Sequence, residues 1–163
     1  MTTFDIRRAV LADAPCIARH RVNMFSDMGQ VPSERLASEL LAASTAAIHA
    51  ALDEGTYMGW LATSADGTVI GGAGVHIKPQ LPRITADGLR VATDSVPLVV
   101  NVYTEPQWRG RGVARALMRI VMQWATQSGH DRVVLHASDQ GRKLYESLGF
   151  AATNEMRWDP VPR

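Results

Sequence analysis

The chain has 163 residues, with 17 basic and 16 acidic side chains and a net charge of +1. That length supports one domain with a real core, and the balanced charge gives no general pull toward nucleic acid or a membrane surface. A single cysteine, Cys16, excludes an internal disulfide and fits a reducing cytoplasm. No secretory leader pattern appears, nor any apolar run near the ~18 residues of a membrane span, so one cytoplasmic domain over 1–163 is expected.

Phe4 to Arg8 alternates as a first strand, and Asp13 stands where it could cap a helix running to about Phe25. Cys16 reads as a small apolar residue buried on that helix, which Ser26-Asp27-Met28-Gly29 ends. Ser33 opens a second helix, rich in alanine and leucine, that reaches about Leu52. Tyr57 to Thr63 and Val69 to Lys78 are strands joined by the turn Ala65-Asp66-Gly67. Gly71, Gly72 and Gly74 strip side chains from the second of these, which makes room for a bulge or a ligand.

The Pro79 to Val96 segment is too long for an idle connection and is expected to lie near the active site or at a subunit contact. Pro97 to Thr104, apolar and β-branched, is the fourth strand. A third helix from Gly112 to about Ser128 carries Val113, Leu117, Ile120, Val121 and Trp124 at helical spacing. A fifth strand (Arg132 to Ala137), a short helix with Leu144 and Leu148 as its core pair, and a final strand from Ala151 to Trp158 follow. The predicted order is β-α-α-β-β-β-α-β-α-β.

The junction of the fourth strand and third helix holds most of the functional information. It reads Val102-Tyr103-Thr104-Glu105-Pro106-Gln107-Trp108-Arg109-Gly110-Arg111-Gly112-Val113-Ala114, a strand entering a glycine-rich turn that opens a helix. Glycines let the backbone take φ > 0 and let a ligand approach, while first-turn N–H groups and the helix dipole attract an anion. Arg109, Arg111 and Arg115 add positive charge. No Lys-Ser or Lys-Thr follows the glycines, which excludes a Walker loop, and Arg115 stands where a dinucleotide fingerprint needs its third glycine.

Arg109-x-x-Gly112-x-Ala114 resembles the acyl-CoA motif [RQ]-x-x-G-x-[GA] of the GNAT superfamily of N-acyltransferases. A second segment, Leu135-His136-Ala137-Ser138-Asp139-Gln140-Gly141-Arg142-Lys143-Leu144-Tyr145-Glu146-Ser147-Leu148-Gly149-Phe150, resembles that family's strand, tyrosine-bearing short helix and closing Leu-Gly-Phe. The resemblance implies an α/β (α+β) fold with a mixed, mostly antiparallel central sheet flanked by helices and splayed between the fourth and fifth strands. It implies transfer of an acetyl group from acetyl-CoA to a primary amine by direct attack in a ternary complex, with no metal. The expected acceptor is a small-molecule amine, with no nucleic-acid or membrane partner; homodimerisation, common in the family, is compatible with the chain.

Carried over residue by residue, the resemblance gives Val102, Tyr103 and Thr104 to the pantetheine arm and the N–H groups of Gly110, Arg111, Gly112, Val113 and Ala114 to the pyrophosphate. Arg109, Arg111 and Arg115 either assist or are solvated, and Ser138 and Arg142 complete the cofactor set. Ser138 and Asp139 stand where many members have asparagine. Tyr145 matches the tyrosine that gives a hydrogen bond or proton to the departing sulfur, and it sits about 100° from Leu144, at the edge of the core stripe.

The general base is not identified by the sequence, because Pro97 to Thr104 contains no acid. Asn101 is its one strongly polar side chain; by strict alternation it shares a face with Val99 and Tyr103, and it touches either substrate or a structural partner. Glu105 reads as a turn residue, and His76 and His136 as structural. Phe25 and Met28 form either an acceptor slot or packing, and Glu155, beside Arg157 on the last strand, either a substrate contact or a surface pair. The competing class is a non-catalytic acyl-CoA sensor, favoured by the missing base and disfavoured by Tyr145.

Overall fold

The computed structural model describes residues 3–160. In chain order its elements are β1 (Phe4–Arg8), α1 (Ala14–Asp27), α2 (Glu34–Asp53), β2 (Tyr57–Ser64), β3 (Val69–Lys78), β4 (Arg83–Ile84), β5 (Val91–Ala92), β6 (Val96–Thr104), α3 (Val113–Gln127), β7 (Val134–Leu135) and α4 (Asp139–Ser147). The main sheet runs β1-β2-β3-β6-β7, antiparallel throughout except for the parallel β6–β7 pair. Its mixed, mostly antiparallel character is the one expected. Among the described residues no helix is long and apolar enough to cross a membrane.

Strand alternation divides the core into two layers. On one face Trp60, Ile70 and Val75 pack with Val113, Leu117, Met118 and Val121 of α3, whose i, i+4 spacing makes a continuous apolar stripe. On the other, Leu61 and Tyr57 pack with Ala14, Ile17 and Ala18 of α1 and Ile48 of α2. Trp60 and Leu61 are neighbours in sequence and belong to opposite layers. Ser33 caps α2 as expected, its Oγ accepting from Leu36 N at 3.3 Å.

Asp13 precedes α1 but its side chain does not cap it. The carboxylate accepts two bonds from Arg7, both at 2.8 Å, and one from Val10 N, because a bidentate guanidinium outcompetes a lone helical N–H. Cys16 is half-buried rather than a core residue, with its Sγ 3.8 Å from Arg19 Nη2.

The three glycines of β3 stand at close packing, beside a bulge in the β3–β6 ladder between Gly72 and Gly74. A Cβ at Gly71 would lie 2.8 Å from the Tyr103 carbonyl oxygen, one at Gly72 2.9 Å from Leu61, and one at Gly74 2.0 Å from the Tyr57 hydroxyl. The Tyr57 ring crosses the space that a side chain at position 74 would fill.

Two strand expectations need correction. The segment 151–159 forms no strand and is exposed throughout, and the fifth strand shrinks to Val134–Leu135. Extended backbone becomes a strand only where a neighbour offers ladder groups, and β7 has just two paired residues. The Pro79–Val96 segment contains the β4–β5 hairpin, held to the body by Arg83, whose guanidinium donates to Asp131 at 2.8 and 2.5 Å.

Candidate acyl-transfer cleft

The ladder between β6 and β7 pairs Leu98 with Val134 and Val99 with Leu135, then stops. Beyond that point the strands part and open a cleft of about 1070 Å³, lined by β6, α1, α2, β7 and α4. On its other edge β6 carries a bulge: Gly74 faces Val100 and Gly72 faces Tyr103, so Asn101 and Val102 together oppose Ala73. Asn101 takes φ +57°, a left-handed conformation that asparagine tolerates better than most residues.

The bulge changes which way side chains point. Val99 and Val102 pack on the α3 side, whereas Val100 packs with the α1 and α2 cluster. Asn101 joins the α1 side as well, so it does not share a face with Val99 as strict alternation predicts. Its side chain is 6% exposed; Oδ1 accepts from Arg21 Nη1 at 2.8 Å and Nδ2 donates to the Tyr57 hydroxyl at 3.4 Å. Burial pushes the Tyr57 phenol up to about 12, so it stays protonated.

At the far end of the cleft, Gly110 and Gly112 take φ of +74° and +83°, and nothing lies within 4 Å of a Cβ built on either. Gly112 is the N-cap of α3 and no side chain caps the helix, which leaves its first-turn N–H groups facing outward. Arg109 is occupied by the protein: Nε donates to the Thr104 carbonyl at 3.0 Å, Nη2 to Asp27 at 2.5 Å, and the group lies 5.6 Å from the Tyr103 ring centroid. Arg115 donates to Ser147 Oγ at 2.9 Å, joining α3 to α4. Arg111 stacks on Trp108 and has no carboxylate partner among the described residues.

Val102, Tyr103, Thr104, Arg109, Ala114, Ser138 and Tyr145 all line the cleft. Thr104 Oγ1 is buried without a protein partner. Ser138 caps α4, its Oγ accepting from Gly141 N at 3.2 Å, so its acceptor capacity is partly spent. Tyr145 packs edge-on against Phe150, burial raises its pKa, and its hydroxyl meets no protein partner among the described residues. Gly141 makes that ring position possible, since a Cβ there would lie 2.8 Å from Tyr145 Cε2. Arg142 is exposed on α4 and is not part of the lining.

Phe25 and Met28 line the opposite wall, at the end of α1. Glu155 is not part of the lining: it pairs at 2.9 Å with His136, which is, and 69% of its side chain is exposed, while Arg157 pairs with Asp159 instead of Glu155. Glu105, expected in a turn, points back toward α1, with Oε1 3.5 Å from His20 Nε2. Sequence reading missed Arg21 and Tyr57. Neither belongs to a local motif; both are drawn in by Asn101 from distant segments.

A splayed mixed sheet, an uncapped helix start at one end of the cleft and a free tyrosine hydroxyl within it define the acyl-CoA N-acetyltransferase class of fold. The model of the Acetyltransferase (GNAT) family matches residues 23–150, and the chain belongs to that family. An aminoglycoside N(6')-acetyltransferase type 1 from Stenotrophomonas maltophilia is 28% identical over 96% of this chain and 92% of its own length. A glucosamine 6-phosphate N-acetyltransferase from Trypanosoma brucei brucei is 31% identical over 57% of this chain and 58% of its own length. Among solved structures, a GCN5-related N-acetyltransferase from Ralstonia eutropha superposes with TM-score 0.84 at 26% identity, covering 98% of this chain and 99% of that one. A predicted acetyltransferase from Clostridium acetobutylicum, crystallised with acetyl-CoA, shares the fold with TM-score 0.79 at 24% identity, covering 98% of this chain and 96% of the other.

Proposed function

We propose that this enzyme moves an acetyl group from acetyl-CoA to the primary amine of a small molecule, by direct attack with both substrates bound. The reading rests on one observation above the others: Tyr145, with a hydroxyl that no group among the described residues uses, lines the cleft opened where β7 leaves β6. The residues present fit the donor. Val102 and Thr104 supply strand backbone with no β7 partner, Thr104 Oγ1 is an unsatisfied polar atom, and the α3 start offers N–H groups to a pyrophosphate. When bound, acetyl-CoA supplies the activated acetyl group as a thioester.

The amine nitrogen forms a bond to the acetyl carbon, the carbon–sulfur bond breaks, the amine loses a proton and the sulfur gains one. Tyr145 Oη would give a proton or hydrogen bond to the departing sulfur, and burial keeps that proton on at neutral pH. Asn101 acts as a positioning residue, because its amide is buried and committed to Arg21 and Tyr57. Asp27 is the one acid lining the cleft among the described residues, and it is paired with Arg109. The amine proton therefore leaves through water or through a lining histidine, His76 or the Glu155-paired His136.

The test is thiol release from acetyl-CoA across a panel of amines, with mass spectrometry of the acetylated product. Amine-dependent release with stoichiometric N-acetyl product supports the reading. Binding of acetyl-CoA without release on any amine favours the sensor alternative.

A further inference from the structure

The acceptor wall of the cleft carries positive charge that the described residues leave unneutralised. Among them its one lining acid, Asp27, is held by Arg109. Among the lining bases Arg157 is paired with Asp159, whereas Arg21 and Lys78 meet no carboxylate among the described residues. A pocket for a polyamine would show the opposite sign.

Arg21 is the better-defined of the two. It is half-buried between α1 and the β6 bulge, and its guanidinium lies 4.8 Å from the Phe25 ring centroid. Nη1 donates to Asn101 Oδ1 at 2.8 Å; Nε and Nη2 meet no protein acceptor among the described residues. The bulge holds Asn101 in a left-handed conformation and its amide donates to Tyr57, so the acceptor that aims Arg21 is itself tied to the core. Burying a cation costs free energy unless an anion or several acceptors compensate. Here one neutral acceptor and an aromatic face do so in part, and two donors of a planar fork suited to carboxylate or phosphate remain open to the cleft.

We infer that Arg21 reads an anionic group on the acceptor, and that the acceptor is an amine bearing a carboxylate or a phosphate, such as an amino acid or an amino-sugar phosphate, rather than a polyamine. The inference rests on the acetyl-transfer reading above. Carboxylate and phosphate share the recognising chemistry, and the choice of substrates separates them.

The experiment compares kcat/KM for matched amines: glucosamine 6-phosphate against glucosamine, L-phenylalanine against 2-phenylethylamine, and kanamycin as the polyamine. The anionic member of one pair is preferred by about 10-fold or more, the worth of a charge-assisted contact. Which pair shows the preference identifies the anion. Arg21→Ala removes most of that ratio through KM, and Arg21→Lys keeps part of it. Preference for the members that lack the anion or for kanamycin overturns the inference, as does an Arg21→Ala loss that is equal on both members of a pair.

A second arm needs no acceptor. With the donor site saturated by CoA, sodium sulfate should raise the unfolding midpoint over that in sodium chloride at equal ionic strength by more for the wild type than for Arg21→Ala, the variant showing only the general stabilisation that sulfate gives any fold. Equal responses overturn the assignment. Failure to bind acetyl-CoA at all would sink the transferase reading instead, and calorimetry detects that separately.

Discussion

Gly141→Ala should damage catalysis while leaving the fold almost untouched. A Cβ at position 141 would lie 2.8 Å from Tyr145 Cε2 and 3.4 Å from Cζ. Carbon atoms settle about 3.5–4.0 Å apart, so the ring must retreat by roughly 0.5–1 Å. Overpacking of this kind costs about 1–3 kcal/mol, whereas glycine to alanine inside a helix returns about 1 kcal/mol. The net change is on the order of 1 kcal/mol, and at roughly 2–4 °C per kcal/mol the unfolding midpoint moves by only a few degrees.

Misplacing a group at the reacting centre by about 1 Å costs on the order of 100-fold in rate, so kcat for the best amine of the thiol-release panel should fall by roughly 10- to 100-fold. Acetyl-CoA affinity should change little. The decisive comparison is with Tyr145→Phe, which should lower kcat by a similar amount by deleting the hydroxyl. If Gly141→Ala acts only through that hydroxyl, the double variant is no worse than Tyr145→Phe alone. Full activity of Gly141→Ala, or losses that add in the double variant, would refute the role given to Tyr145.

Gly112→Ala should cost only the backbone strain of a left-handed alanine, about 1–2 kcal/mol, because open space surrounds the site; Gly112→Glu should in addition abolish acetyl-CoA binding, which titration calorimetry will show. Gly74→Ala should lower the unfolding midpoint by several degrees or prevent folding, because its Cβ would lie 2.0 Å from the buried Tyr57 hydroxyl; an unchanged midpoint contradicts the Tyr57 placement. His20 is 1% exposed, and burial, with the Arg19 charge acting in the same direction, pulls its pKa from 6.5 down to about 4. The unfolded chain therefore takes up the proton first as pH falls, and stability should decline between pH 6.5 and about 4 by up to about 3 kcal/mol. Denaturant titrations of the wild type and His20→Gln will check this, the variant showing the flatter profile.

What could be read in the sequence was local. The α3 entry is legible because Gly110 and Gly112 sit at positive φ next to the helix they open, and Tyr145 because its place on α4 follows from helical spacing. What escaped the sequence depends on partners far along the chain. One extra residue at the β6 bulge turned Asn101 to the α1 side, and its partner Arg21 lies 80 positions earlier. Arg109 carries a motif position yet spends its donors on Thr104 and Asp27, which no spacing rule foretells. The expected last strand failed because alternation in Asn154 to Trp158 describes a pattern that finds no ladder here.

The most direct test of the central claim is calorimetric titration of the purified protein with acetyl-CoA, with free CoA and ATP alongside. Saturable binding of acetyl-CoA and CoA, with none of ATP, is the predicted result. Absence of acetyl-CoA binding, or equal binding of ATP, would contradict the assignment of the β6–β7 cleft and the α3 start as the donor site.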